Sequence, residues 1–196
     1  MGVPVRYREE FSMLSEGTKI EAVVMARGHA ERCLDRIEEA EDGPSMAQAT
    51  SKIRQATVGD LELLVPLFDA YRVFYRGASD PAGARRFLLE RFEHNQSIVF
   101  LAFDGEEAVG FTQLYPSFSS VSMRRIWILN DLFVAPEARC GGVGSALLRA
   151  AADYGRRTEA VRLTLSTEVT NETAQRVYER EGWVKDTAFY SYDLTL

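Results

Sequence analysis

Cysteine and histidine are scarce in this 196-residue chain: Cys33 and Cys140, His29 and His94. Two cysteines build no disulfide framework, and they point to a reducing cytosol. His29 has no partner pattern and reads as a surface residue. His94 reads as a helix-end group, so no metal is expected. No apolar run approaches the length that spans a bilayer, and the N-terminus carries no signal-peptide pattern. Positive charge is in deficit as well: 23 Lys and Arg stand against 29 Asp and Glu, for a net charge of -6. That balance argues against a nucleic-acid-binding surface, which would want a basic stripe. The balance suits a cationic amine, although net charge bears on steering more than on chemistry.

What is present reads as one globular domain over 46–196 behind an extension over 1–45. The 46% hydrophobic and 27% charged residues are ordinary for such a domain. The extension holds ten acidic and six basic residues. Ile20, Val23, Val24, Ala30, Leu34 and Ile37 fall near one helical face, which Arg27 interrupts. A docked helical appendage and a poorly ordered segment are both open there. Asp42-Gly43-Pro44-Ser45 then breaks the pattern.

Past that break the expected order is strand, two helices, three strands, helix, strand, helix, strand. Ile53–Thr57 reads as the first strand. Thr57 to Asp60 offers cap chemistry for a helix through Leu61, Leu64, Val65, Phe68 and Tyr71, with Pro66 as a kink or first turn. Tyr71, Phe74 and Tyr75 prolong its aromatic stripe, as core or as substrate pocket. Ser79-Asp80-Pro81 opens a second helix. Ile98–Phe103, the turn Asp104-Gly105 and Ala108–Tyr115 form a hairpin signature. Pro116–Ser120 reads as a loop leading to a strand from Arg125 to Val134. Val161–Leu165 alternates as another strand. Ala188 to Leu196 alternates as a last one, with Tyr190, Tyr192, Leu194 and Leu196 on one face. The fold class is α/β, a mixed and mostly antiparallel sheet flanked by helices.

The densest chemistry lies where the strand ending at Val134 gives way to Arg139-Cys140-Gly141-Gly142-Val143-Gly144. Apolar residues at Val143, Ala146, Leu147, Ala150, Ala151 and Tyr154 then mark an amphipathic helix. Glycines at a helix start let backbone N–H groups converge on an anion, helped by the helix dipole. A plain glycine-rich helix start is the alternative. A P-loop would need Lys-Ser/Thr after the last glycine, where this chain has Ser145-Ala146. A dinucleotide loop would need a third spaced glycine.

The remaining Arg-x-x-Gly-x-Gly resembles the loop of the GNAT (Gcn5-related N-acetyltransferase) superfamily. Asn171, Ala174, Tyr178 and Gly182-Trp183 resemble that family's second signature at the expected distance, and the resemblance runs from Ile53 to Leu196. It implies acetyl-CoA as co-substrate and no metal. Backbone groups of Leu132, Phe133 and Val134 would pair with the pantetheine arm. The N–H groups of Arg139, Cys140, Gly141, Gly142, Val143, Gly144 and Ser145 would hold the diphosphate. Asn171 would bond the arm, beside Ala174. Tyr178 would sit near the thioester sulfur, where a phenol can protonate a departing thiolate. Backbone donors near Phe133 could polarise the carbonyl.

Two departures stand out. Cys140 occupies a position where many relatives have glycine. Asn130 stands where polyamine and amino-acid acetylating members commonly have Glu, so the base lies elsewhere: Asp131, Glu168, or a water chain. Strand alternation puts Asn130 and Asp131 on opposite faces, and Asp131 could instead be structural. Tyr71, Phe74, Tyr75, Phe118, Trp127, Asn130, Tyr190 and Tyr192 are the acceptor-pocket candidates, with Trp127 and Trp183 also read as packing. The segment around Tyr115 and Phe118 and the ending at Tyr192 look most like the amino-acid and polyamine branch. The expected activity is acetyl transfer to a small primary amine in a ternary complex, in a cytoplasmic homodimer. A lysine or N-terminal acetyltransferase and a non-catalytic acyl-CoA sensor are the competing readings.

Overall fold

The computed structural model describes residues 51–196. The expected extension, with its helix face, His29 and Cys33, lies outside the described residues. So does the boundary between extension and domain.

The sheet is built on Ile98–Asp104 (β2), where Val99, Leu101 and Phe103 point to one face and Phe100 and Ala102 to the other. A strand buried on both faces reads as a continuous apolar run, and this one does. Lys52–Gln55 (β1), β2, Glu107–Ser119 (β3) and Arg124–Val134 (β4) pair antiparallel in that order. Arg162–Thr164 (β5) then joins β4 in parallel, completing a five-stranded sheet.

Leu61–Phe74 (α1) and Pro81–Glu93 (α2) cover one face. Leu61, Leu64, Val65 and Phe68 of α1 and Ala84 and Leu88 of α2 pack there on Val99, Leu101, Phe111 and Phe133. Val143–Arg157 (α3) covers the other face, its Val143, Leu147, Leu148 and Ala151 packing on Phe100, Leu114, Trp127 and Leu129. Glu172–Arg180 (α4) flanks α3. Local chemistry matches these boundaries. Asp60 closes a capping box with Thr57 and pairs with Arg54 Nη2 at 2.6 Å. The Asp80 side chain caps α2 through the Gly83 N–H at 2.8 Å, with Pro81 in its first turn. Buried Asp69 accepts from Ser79 Oγ at 2.6 Å and the Asp80 N–H at 2.8 Å, tying the α1–α2 turn to α1.

Three expectations change. Pro116 lies within β3, paired with Trp127, and not in a loop. Beyond Leu114 only β4 pairs with β3, and a one-sided stretch tolerates a residue without an N–H. Pro66 lies inside helix α1, past its first turn. Ala188 to Leu196 forms no strand, and Tyr190, Tyr192, Leu194 and Leu196 are exposed. Alternation permits a strand, but only a paired edge makes one, and no ladder reaches this segment.

Candidate active site

Strands β4 and β5 pair only from Ile126 to Ile128, opposite Arg162 to Thr164. From Leu129 onward β4 is paired on its β3 side alone. Among the described residues, its other edge, through Leu132, Phe133 and Val134, therefore presents a row of backbone donors and acceptors with no strand beside it. Such an edge accepts an extended, amide-bearing chain as an added strand.

At the end of that edge the Pro136–Ala138 turn leads into the glycine loop. Gly142 takes φ 78° as the N-cap of α3, in the left-handed region where glycine costs least. Cys140 adopts φ 68° without being glycine. The first intrahelical bond of α3 is Ala146 N–H to Gly142 O at 3.0 Å, so the Val143, Gly144 and Ser145 amides precede the ladder. A Cβ placed on Gly142 meets nothing within 4 Å, and one on Gly144 comes only within 3.9 Å of Val134. Among the described residues, little packs against these two glycines. Ser145 Oγ accepts from Arg180 Nη2 at 3.1 Å, which brings a cation from α4 to the positive end of α3. Two like electrostatic sources converging there favour an anion. Open amides, open space and Arg180 together fit a diphosphate.

Arg139 behaves differently from expectation. Its Nε donates to Val134 O at 3.0 Å, and its guanidinium lies over the rings of Phe74 (5.8 Å) and Phe133 (5.9 Å). Burial holds its pKa below the usual arginine value. Its N–H points to Pro136 O at 3.4 Å. The side chain thus folds back onto the end of β4, away from the role of a cation held over the glycines. Nor is Cys140 a free thiol, which departs from the reading of two reduced cysteines.

Opposite the open edge lies a polar cluster. Register shifts between Gln113 and Leu114, whose partners are Asp131 and Leu129, leaving Asn130 as the extra residue of a bulge in β4. The bulge reverses the facing of the strand: Leu129 packs on the α3 side and Phe133 on the α1 side. Strict alternation fails here, and Asn130 and Asp131 do not turn away from each other. Asn130 Nδ2 donates to Asp131 Oδ1 at 3.1 Å. Asp131 is only 4% exposed. Its Oδ2 accepts from Gln113 Nε2 at 2.8 Å, and the Tyr71 hydroxyl stands near enough to pull its pKa down. Burial pushes the Asp131 carboxyl above the usual carboxylate range, against the pull of these three donors. Burial and the Asp131 charge push Tyr71 up strongly, and push Tyr115 up to about 12. Ser97 Oγ completes the cluster by donating to Gln113 Oε1 at 2.9 Å.

Tyr75 stands edge-on to Tyr71 with ring centroids 5.0 Å apart. Burial raises the pKa of the Tyr75 and Tyr178 phenols, against a downward pull from the Thr167 side chain. Asn171 caps α4, its Oδ1 accepting from the Ala174 N–H at 3.3 Å while Nδ2 donates to Thr167 Oγ1 at 3.3 Å.

The structure thus brings together Tyr71, Tyr75, Asn130 and Asp131, with Tyr178 near enough to Tyr75 to feel it electrostatically. Four acceptor candidates stay apart from them. Trp127 is core on the α3 side, its Nε1 donating to Thr158 Oγ1 at 2.8 Å. Phe118 lies exposed under the Arg125 guanidinium. Tyr190 and Tyr192 are 89% and 90% exposed. Sequence reasoning missed Gln113, Thr167 and Arg180. A glutamine in an otherwise apolar strand run was a usable signal for the first. The other two carry no local mark.

Comparisons agree with this geometry. The model of the acetyltransferase (GNAT) family matches residues 64–183. The chain belongs to that family. Over 144 residues it is 51% identical to an uncharacterized N-acetyltransferase, YhfO, of Bacillus subtilis, covering 74% of this chain and 97% of that one. It is 35% identical over 149 residues to a probable acetyltransferase of Haemophilus influenzae, covering 74% and 98%. Human N-alpha-acetyltransferase 30 is 31% identical over 134 residues, which is 68% of this chain and 36% of that protein. A crystal structure of a probable acetyltransferase superposes with a TM-score of 0.71 at 48% identity, covering 74% of this chain and 97% of that one. The protein is an N-acetyltransferase, and the acetyltransferase keeps the family's mixed sheet. Among the described residues, no helix is long and apolar enough to cross a membrane.

Proposed function

We propose that the chain transfers acetyl from acetyl-CoA to the primary amine of a small molecule, such as a polyamine or amino acid, by direct attack in a ternary complex. The observation that carries this reading is the β4 edge left open beyond Ile128, ending at the uncommitted amides of α3. Acetyl-CoA would supply an acetyl group activated as a thioester. The Leu132–Val134 backbone would pair with the pantetheine arm. The amides of Gly141 to Ser145, with Arg180, would hold the diphosphate, beside Cys140 and Arg139. Asn171 and Ala174 would border the arm.

Tyr178 would give its phenolic proton to the sulfur as charge develops there. Tyr71, Tyr75 and Asn130 would face the amine, and the two rings would attract its cationic form. Asp131, reached through the Tyr71 hydroxyl, is the proton acceptor of this reading. Burial raises its pKa, which makes it a stronger base than an ordinary carboxylate. The small amine is favoured by the paired Tyr71 and Tyr75 rings beside Asp131. A homodimer accompanies the reading, supported by the apolar residues exposed toward the C-terminus, Tyr190, Tyr192, Leu194 and Leu196. No nucleic-acid or membrane partner is proposed.

A second reading, acetylation of a protein N-terminal amine, is favoured by the similarity to N-alpha-acetyltransferase 30. Thiol release from acetyl-CoA with spermidine, lysine, an aminoglycoside and an alanyl peptide separates the two. Release with a small amine is expected. Release with the peptide alone would replace this reading by the second. Silence with all, while acetyl-CoA binds, would leave an acyl-CoA sensor.

A further inference from the structure

Gln113 is fully buried in β3, directly across the ladder from Asp131. Burying an amide costs free energy unless its polar atoms find partners, and an apolar side chain would fill a core position without that demand. Here every polar atom is matched. Ser97 Oγ donates to Gln113 Oε1 at 2.9 Å from the residue before β2. Gln113 Nε2 donates to Asp131 Oδ2 at 2.8 Å and to the Tyr115 hydroxyl oxygen at 2.9 Å. A primary amide has two N–H donors, so both are spent. Turned over, the amide would set its oxygen against the carboxylate, acceptor facing acceptor. Its orientation is thus fixed at both ends. The same carboxyl is held elsewhere too. Asn130 Nδ2 donates to Oδ1 at 3.1 Å, and Thr112 Oγ1 donates to the Asp131 backbone oxygen at 2.9 Å. Both side-chain amides are neutral, so they steady a carboxylate without cancelling its charge. An ionised carboxyl accepts at both oxygens, whereas a protonated one must also place a donor.

We propose that Gln113 is a positioning residue whose amide, locked by Ser97, holds Asp131 as an oriented carboxylate ready to take a proton from the acceptor amine. This rests on the acetyl-transfer reading. In the step it serves, one N–H bond of an ammonium breaks with its electron pair left on nitrogen, and the proton ends on the Asp131 carboxyl. Loss of that proton to solvent resets the acid before the next turnover. Without the Gln113 donor, burial acts on the carboxyl with less opposition, and the anion is harder to form. The titratable groups facing the carboxyl are Tyr71 and Tyr75 from α1 and Tyr115 from β3. Arg91 of α2 acts on Tyr115, and Glu168 on Tyr75. Burial raises the pKa of all three phenols, so near neutral pH they carry no charge that could stand in for the amide.

Gln113→Met keeps the length of the side chain and removes the amide. With acetyl-CoA and whichever of spermidine, lysine or an alanyl peptide gives the most thiol release, the acidic limb of its kcat–pH profile should move up by about one pH unit. Below that limb kcat should fall about 10-fold, and well above it the rate should return to within about 3-fold of the unaltered chain. KM for both substrates should stay within about 2-fold. Ser97→Ala, which leaves the amide in place but unlocked, should move the limb the same way by less. In an Asp131→Asn background Gln113→Met should shift nothing further. A second readout needs no turnover. In carboxyl carbon-13 NMR of the aspartate-labelled full chain, the Asp131 signal (identified by its absence in Asp131→Asn) should titrate at higher pH in Gln113→Met. An unmoved Asp131 titration, or a loss of kcat equal at every pH, would overturn the proposal. Should Gln113→Met fail to fold, Ser97→Ala decides by the same titration. If the unaltered chain neither binds acetyl-CoA nor releases thiol, the acetyl-transfer reading fails, and with it the catalytic half of the proposal. The NMR titration still decides whether Gln113 holds Asp131 ionised.

Discussion

Asp131 illustrates how far a single residue depends on its surroundings. A carboxyl on a strand is ordinarily an exposed anion with a pKa near 4. Here the bulge at Asn130 turns it into a nearly water-free cluster, and burial outweighs the Gln113, Tyr71 and Asn130 donors. Because the folded chain holds this proton to higher pH than the unfolded chain does, Asp131 contributes stability fully below about pH 4. That contribution fades as pH rises through the folded value. The same shift places it to accept a proton during turnover. Asp131→Asn is therefore expected to lower kcat by at least about 10-fold. It should also remove an acidic limb of the kcat–pH profile that lies above the ordinary carboxylate range. A pH–rate series on both proteins checks this, and an unchanged acidic limb would assign Asp131 a purely structural role. Asp60 shows the opposite sign. Arg54 holds its carboxyl well below the usual range, so its stabilisation is present above about pH 4 and is lost on strong acidification.

Among elements, helix α3 and its glycine loop were the most legible in the sequence, because a 3.6-residue apolar period and a glycine cluster are both local signals. Strand β4 was legible too, but its bulge was not, since cross-strand register decides where an extra residue is squeezed out. That hidden bulge is why Asn130 and Asp131 touch where alternation predicts they should part. The tail from Ala188 to Leu196 failed for a related reason: its alternation is real, and no sheet edge pairs with it. The loop also yields a prediction at this scale. A side chain at Gly144 meets little protein, so Gly144→Val should leave thermal stability within about 0.5 kcal/mol. It would fill the space assigned to the diphosphate, and affinity for acetyl-CoA should fall by at least about 100-fold. Melting curves and binding isotherms on the same samples test both halves.

At the scale of the molecule, the fold separates holding from reacting. Two apolar layers, one under α1 and α2 and one under α3, fix the sheet. The parting of β4 from β5 then opens a slot beyond Ile128 among the described residues. One end of that slot is lined by helix-start amides and the side by hydroxyls and a buried acid. Both parts lie within the span that matches the acetyltransferase family. The central claim is that this slot receives a coenzyme A thioester. Isothermal calorimetry at two temperatures, with acetyl-CoA titrated into the full chain, tests it most directly. One site per chain with a Kd on the order of 10 µM is predicted, weakened sharply by Gly144→Val. No heat at either temperature, with acetyl-CoA or with free CoA, would contradict it.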